Sequence, residues 1–222
     1  MGQSPLGFFA QKFGNALGGG RVDSQQALWN TARHGKYYAS VYGTPAIASP
    51  AAAAKAGAVF RSSNQATDAL TAALATTYTG ICLSNPAGSG VNLAVKRVAA
   101  MFGPAPATQV NLGLITGWAA GGITAHTTPI TQIVSAYVGG ATSGGSIVAP
   151  APLAKVDAAC TLVGTPAWDR WLTTLAASGD GGVAVDLDDD LIVPPGGYVA
   201  VGNLVAVASG FLGTFCWEEL AP

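Results

Sequence analysis

Hydrophobic and polar positions in this 222-residue chain change character near residue 57. Beyond Gly57, short runs of Val, Ile, Leu, Thr and aromatic residues alternate with turn-forming Gly, Pro, Asn and Ser, the pattern of strands separated by turns. Residues 78–84 read as a strand, 85–90 as a turn and 91–102 as the partner strand. Within that partner strand Val91, Leu93 and Val95 share one phase while Val98, Ala100 and Phe102 share the other, so a β-bulge is predicted at Lys96-Arg97. Further strands are predicted over 109–118, 130–138, 146–149, 156–163 and 168–175. Short apolar runs at 183–185 and 191–193 flank the acidic segment Asp186-Leu187-Asp188-Asp189-Asp190, which reads as a solvated turn. Pro194-Pro195-Gly196-Gly197 is a tight turn, and 198–208 with 211–219 is predicted as a hairpin about Ser209-Gly210. Residues 64–76, with Ala66, Leu70, Ala73 and Leu74, have helical spacing. Roughly eight to ten strands at this spacing specify an all-β fold, an antiparallel, jelly-roll-like β-sandwich over residues 57–222.

Residues 1–56 lack that rhythm. Gly18-Gly19-Gly20 breaks the chain early, and Asp23 is placed to cap a short helix over 23–30. Pro45, Pro50 and the alanines at 51–54 read as a connector. The segment is predicted to be an extended, partly irregular N-terminal arm. Its large side chains have little local core to fill, so Arg21, Trp29, Arg33, Lys36, Tyr37, Tyr38 and Tyr42 are the candidate partner-binding residues. The first residues carry no cation ahead of their short apolar stretch, unlike a secretory signal, and Leu6 stands where a myristoylation motif needs Ser or Thr.

Composition changes the picture in one respect. Half the residues are hydrophobic and only 9% are charged, against about 25% in an average globular chain. Residues 98–154 contain no Asp, Glu, Lys or Arg, yet Gly, Pro, Thr, Ser, Gln and Asn interrupt them throughout, so no membrane-spanning helix is predicted. Packing against other subunits hides surface that charge would otherwise solubilise, so a self-associating chain is expected. The net charge of −1 divides into +6 over residues 1–100 and −7 over 101–222, an asymmetry able to steer one end onto an acidic partner. Cys82, Cys160 and Cys216 are widely spaced and in apolar context, which fits buried free thiols made in a reducing cytoplasm.

Candidate chemistry is sparse. The two histidines, His34 and His126, have no Cys, Asp or Glu at metal-ligand spacing. Ala87-Gly88-Ser89-Gly90 misses the nucleophile-elbow pattern and fits a turn. Glu218 and Glu219, the only glutamates, are adjacent and point to opposite faces of a strand, Glu219 with Trp217, so they do not converge on one substrate. The acidic run lacks the glycine and distal glutamate of a Ca²⁺ loop. Trp118, Trp168 and Trp171 are able to line a sugar groove, although packing is the commoner role of Trp. No phosphate-binding loop exists, and the basic residues are too scattered for a nucleic-acid surface. The chain is therefore expected not to be an enzyme: no catalytic residue, cofactor or metal is predicted, and neither nucleic acid nor a membrane is an expected partner.

The stretch Leu83-Ser84-Asn85-Pro86-Ala87-Gly88-Ser89-Gly90-Val91-Asn92-Leu93, the downstream Val193-Pro194-Pro195-Gly196-Gly197-Tyr198-Val199-Ala200-Val201 and the ending Trp217-Glu218-Glu219 resemble a group of tailed-phage virion structural proteins. In these a jelly-roll head follows an N-terminal arm, as in capsid decoration (cement) proteins and head fibres. The resemblance implies a homotrimer on the capsid surface of a virion, made in the host cytoplasm, with the major capsid protein or other virion proteins as partners. A glycan-binding head- or tail-fibre tip is the alternative. Under the decoration reading, deleting residues 1–45 abolishes saturable cosedimentation with assembled capsids, and undiminished binding by the truncated chain contradicts the arm's role.

Overall fold

Strands dominate the computed structural model, which describes residues 53–54, 57–72, 74–136, 153–178 and 181–220. All belong to one compact unit, Ala52–Pro222. The candidate arm residues Arg21, Trp29, Arg33, Lys36, Tyr37, Tyr38 and Tyr42, the helix expected at 23–30 and the strand expected at 146–149 lie outside the described residues.

The strands are β1 (Val59–Ser63), β2 (Asp68–Leu70), β3 (Thr77–Ser84), β4 (Asn92–Phe102), β5 (Val110–Trp118) and β6 (His126–Pro129) in the first half. They continue as β7 (Ile133–Ser135), β8 (Lys155–Thr161), β9 (Ala167–Leu175), β10 (Gly182–Val193), β11 (Gly197–Asn203) and β12 (Val207–Leu220). One sheet, A, has the order β10-β4-β12-β1-β7, with β2 also paired to β12; the other, B, runs β6-β8-β3-β11-β5-β9. Every paired neighbour is antiparallel.

Four pairs define the topology. β1 pairs with β12, β3 with β11, β4 with β10 and β5 with β9. The pairs nest, first strand with last, so the chain is one long antiparallel ribbon. Rolled up, such a ribbon places successive strands in opposite sheets, which is a jelly roll. β2, β6, β7 and β8 are additions to this frame.

Two hairpins expected from the sequence are overturned by that rolling. β3 lies in sheet B and β4 in sheet A, so residues 85–91 cross between sheets rather than join paired strands. The same holds for β11 and β12: residues 204–206 make the crossing, and Gly210 sits inside β12 at a register shift against β2. The helix expected at 64–76 is replaced by β2 in its described part, because Leu70 is drawn into the core and Asp68 pairs with Phe211. Tertiary burial outweighs a weak local preference there. The predicted bulge is present: β12 pairs Cys216 with Arg97 and then Trp217 with Val95, leaving Lys96 as the extra residue.

The main core fills the space between the sheets. Phe60 of β1 meets Trp217 of β12 with ring centroids 6.1 Å apart, and Phe102 meets Phe211 edge-on at 5.8 Å. Leu83, Val95, Leu112, Leu114, Val199 and Phe215 complete it. A smaller apolar cluster lies around Tyr78, Cys82, Ile115, Ile123, Leu162, Tyr198 and Ala200. Leu114 belongs to the first and its neighbour Ile115 to the second, so the second cluster covers the face of sheet B that points away from sheet A. Strand β11, buried along its whole length, is therefore apolar on both faces.

Three buried asparagines tie the crossings. Asn85 Nδ2 donates to Val91 O at 2.8 Å and to Val193 O at 2.9 Å. Its backbone exchanges hydrogen bonds with the turn after β10, Asn85 N to Gly197 O at 2.9 Å and Gly196 N to Asn85 O at 2.8 Å. The turn-rich stretches 83–93 and 193–201, far apart in the chain, thus meet at one residue. Asn64 accepts from Gly213 N at 2.8 Å and donates to Gly80 O and Asp68, linking β12 to β3. Asn203 accepts from Asn111 N at 2.7 Å and donates to Val205 O. Replacing Asn85 by Ala takes the amide donor from the buried Val193 O and leaves the part-buried Val91 O with only the longer contact from Ser89 Oγ at 3.4 Å, so Asn85→Ala is expected to lower stability by about 1–3 kcal/mol in urea denaturation. Asn85→Asp fails comparably because a carboxylate has no hydrogen to donate; a loss below about 0.5 kcal/mol for both contradicts the assignment.

Candidate functional site

Two surfaces on the outer faces of the sheets stand apart from the core. The first is on sheet B. Asp169 is an extra residue in β9: Leu114 pairs with Arg170 and Ile115 with Trp168. Residues three apart on a regular strand face opposite ways. The bulge cancels that, so Trp168 opposite Ile115 and Trp171 opposite Gly113 share one face. Their rings stack with centroids 4.4 Å apart at 30°.

Glycines make this possible. Gly113 and Gly202 are direct cross-strand partners. A Cβ added at Gly113 would lie 3.0 Å from the Trp168 ring, and one at Gly202 would lie 2.9 Å from it. The pair forms a flat seat for the first indole, and the second lies on top of it, 53% exposed. Beside Trp171 an open groove of about 390 Å³ is lined by Asn111, Leu172, Thr173, Thr174 and Leu204. Thr174 donates its hydroxyl hydrogen to Asn111 Oδ1 at 2.9 Å, and Asn203 holds the Asn111 backbone. Of the three tryptophans considered for a sugar groove, the structure brings together Trp168 and Trp171. Trp118 stands at the opposite end of β5, its Nε1 donating to Pro195 O at 2.9 Å, beside a different groove that includes Ile192 and Pro194.

The second surface is the outer face of sheet A. Ala99 and Met101 of β4 are flanked by Ala184 and Gly182 of β10 on one side and by Thr214 and Leu212 of β12 on the other. These six residues line a shallow depression of about 290 Å³ and include no charge, with Met101 50% exposed. Charges gather further along the same face. Lys96 Nζ bridges Asp189 Oδ1 at 2.7 Å and Glu218 Oε2 at 2.6 Å, and Arg97 pairs with Asp186 at 3.6 Å, while Arg170 of sheet B reaches Asp190 of β10 at 2.8 Å. Partial burial alone would lower the Lys96 ammonium, but Asp189 and Glu218 hold it above its ordinary value.

The acidic run is thus not a turn between strands. It is a bulge within β10, between Asp186 and Leu191 in register with β4, with left-handed φ of 45° at Asp188 and 68° at Asp189. Three of its four carboxylates, Asp189, Asp186 and Asp190, pair with Lys96, Arg97 and Arg170, and among the described residues no three His, Cys, Asp or Glu converge as a metal-ligand set. Glu219 turns away from Glu218, as the alternation predicted, and accepts from Leu153 N at 2.8 Å and Ala154 N at 3.0 Å.

One titratable pair escaped the sequence reading. His126 Nδ1 lies 2.8 Å from Asp157 Oδ2, and the Asp157 side chain is fully buried. Nothing in the spacing of β6 and β8 announces this pairing. Asp157 Oδ1 has no hydrogen-bond partner among the described residues. The neighbouring Cys82 thiol is pushed well above its ordinary value by burial, then by Cys160 and Asp157, which suits a packed thiol rather than a nucleophile. His34 lies outside the described residues.

No protein-family model matches this chain, and no curated protein matches it. A solved structure described as "nora virus structure" is 13% identical, covering 71% of this chain and 57% of that chain, with a TM-score of 0.17. A likeness at that score carries no argument about fold or function.

Burial raises the Asp157 carboxyl above its usual value, against the opposing hydrogen bond and charge of His126 and the charge of Lys155. Its proton is held more tightly in the folded chain than in the unfolded one. Its contribution to stability is therefore full below the unfolded value of about 3.9 and is lost as pH rises through the higher folded value. Asp157→Asn has no such titration. In denaturant melts across this window, wild type should lose stability relative to Asp157→Asn as pH rises, and a pH-independent difference contradicts the assignment.

Proposed function

We propose that this chain is a non-enzymatic structural protein of a virion, a capsid-decoration protein that associates with copies of itself, as a homotrimer, and with subunits of the shell. The observation that carries this reading is the uncharged part of the outer face of sheet A, around Ala99 and Met101. In a lone soluble domain the outward face of an antiparallel sheet is polar. Here Ala99, Met101, Ala184 and Leu212 lie side by side across three strands. A contiguous exposed apolar patch of this kind marks an interaction site.

Two further properties support the reading. The chain as a whole has only 9% charged residues, so burial in an assembly supplies solubility that charge does not. The jelly roll, an architecture shared by viral capsid domains, lectins and cupins, presents rigid sheet faces for packing. The fold alone does not choose among those roles. A decoration protein that occupies many equivalent positions gains from repetition, because weak contacts at each site add through avidity.

The test is direct. The intact chain is expected to run as a trimer in size-exclusion chromatography with light scattering and to cosediment saturably with assembled shells. Met101→Asp places a charge on the apolar face at a half-exposed site, so it should leave the melting transition nearly unchanged, within about 0.5 kcal/mol. It should also dissolve the trimer or abolish shell binding. A monomeric wild type that ignores shells contradicts the proposal, as does a Met101→Asp protein that assembles normally.

A further inference from the structure

We infer that the Trp168–Trp171 stack is a glycan-binding platform for a neutral hexose, with the exposed indole of Trp171 as the stacking surface and Asn111 and Thr174 as its hydrogen-bonding border. This inference concerns sheet B and stands whether or not the face of sheet A forms an assembly contact.

Core packing accounts for Trp168, which lies on the Gly113–Gly202 seat and packs against the cluster around Tyr198. It does not account for Trp171, whose indole is 53% exposed although one side is spent on Trp168. The arrangement is preorganised. The bulge at Asp169 fixes the side on which both rings emerge, and the glycine seat fixes the height of the lower ring. A ring already immobilised loses little side-chain freedom when a ligand lands on it.

The chemistry of the groove selects the ligand. A hexose presents a face of C–H groups, which suits an aromatic surface, and an edge of hydroxyls, which needs donors and acceptors at the border. Asn111 and Thr174, paired across β5 and β9 on the same face as Trp171, supply an amide and a hydroxyl, and the exposed Leu204 extends the apolar floor. The Thr174–Asn111 hydrogen bond occupies Asn111 Oδ1 and leaves the Nδ2 hydrogens to donate to a sugar oxygen. No lining residue is charged. Arg170, the cation nearest in sequence, is engaged by Asp169 at 2.6 Å and Asp190 at 2.8 Å. A sialic or uronic acid would meet no cation in the lining, so the site fits neutral sugars. The groove volume of about 390 Å³ is at the small end of ligand sites, enough for one or two rings at its open surface.

The experiment uses the full chain with methyl β-glucoside, lactose and maltotriose as neutral probes and 3′-sialyllactose as the charged comparison. Saturation-transfer difference NMR and tryptophan fluorescence are followed together. At least one neutral probe should bind saturably with Kd in the millimolar range, about 1 mM. Trp171→Ala should weaken that binding roughly tenfold or more, Trp171→Phe should retain part of it, and Asn111→Ala should weaken it several-fold, all with unchanged circular dichroism and melting midpoint. The inference is overturned if no neutral probe binds saturably, if only the sialylated probe binds, or if Trp171→Ala binds like wild type. It is also overturned if Trp171→Ala lowers the oligomeric mass while wild type binds none of the neutral probes, because the indole is then a protein contact.

Discussion

Rolling an antiparallel ribbon into two packed sheets carries the chain from one sheet to the other at every principal connection except the ribbon's closed end between β5 and β9, and each crossing brings backbone polar groups to the edge of an apolar interior. Those groups must find partners or cost the full penalty of desolvation. At three places in this domain the partners are side-chain amides, beside backbone pairs such as Gly103 N to Gly210 O. Asn85 serves the crossing from β3 to β4 and the turn after β10 together. Asn203 joins the crossing after β11 to the start of β5, and Asn64 joins the segment after β1 to β12 and β3. Asn64 and Asn203 each accept and donate at once, as an amide can, while Asn85 serves by donating both Nδ2 hydrogens. Aliphatic residues at these positions would pack but leave the crossings unpaired.

The surfaces follow from this frame. Asn203 fixes the backbone of Asn111, which borders the groove beside Trp171. The bulge at Lys96 turns a cation outward to meet Asp189 and Glu218, and beyond it the strand returns to phase with Ala99 and Met101 facing out. Charge is concentrated in one part of the face of sheet A and missing from the other. The uncharged part is where an assembly contact is proposed, and the platform on sheet B leaves a second face for recognition. Sheet B also carries its own apolar layer around Tyr78 and Tyr198, so it is held from both sides. Tyr78 donates to Val201 O at 2.6 Å and receives Ile81 N at 2.9 Å across the bulge at Gly80, whose φ of 140° and lack of a side chain both belong to that close approach.

Strand identity was legible in the sequence because alternation and turn residues are local signals. The bulge at Lys96 was legible for the same reason: an apolar phase that slips by one leaves no other regular pairing. Pairing was not legible. Pro86, Gly88 and Gly90 permit a reversal, and the same residues permit a crossing, so nothing within the segment separates a hairpin from a change of sheet. Leu70 was read as part of a helix because its burial depends on β12, far along the chain. The three asparagines look like ordinary turn residues in sequence, since a turn and a buried crossing both use the short amide side chain. Trp168 and Trp171 were recognised as candidates for one groove, but their spacing alone puts them on opposite faces; the extra residue Asp169 joins them. The His126–Asp157 pair, 31 residues apart, carries no local mark at all.

The central claim is that side-chain amides, rather than the ladders alone, hold the crossings of the roll. Native-state hydrogen exchange tests it at the amides of Gly213 and Asn111, which donate to the side-chain oxygens of Asn64 and Asn203. The account predicts that both exchange only through global unfolding, as slowly as the central amides of β4 and β12. Exchange of these amides by local opening, while the ladders stay protected, would contradict it.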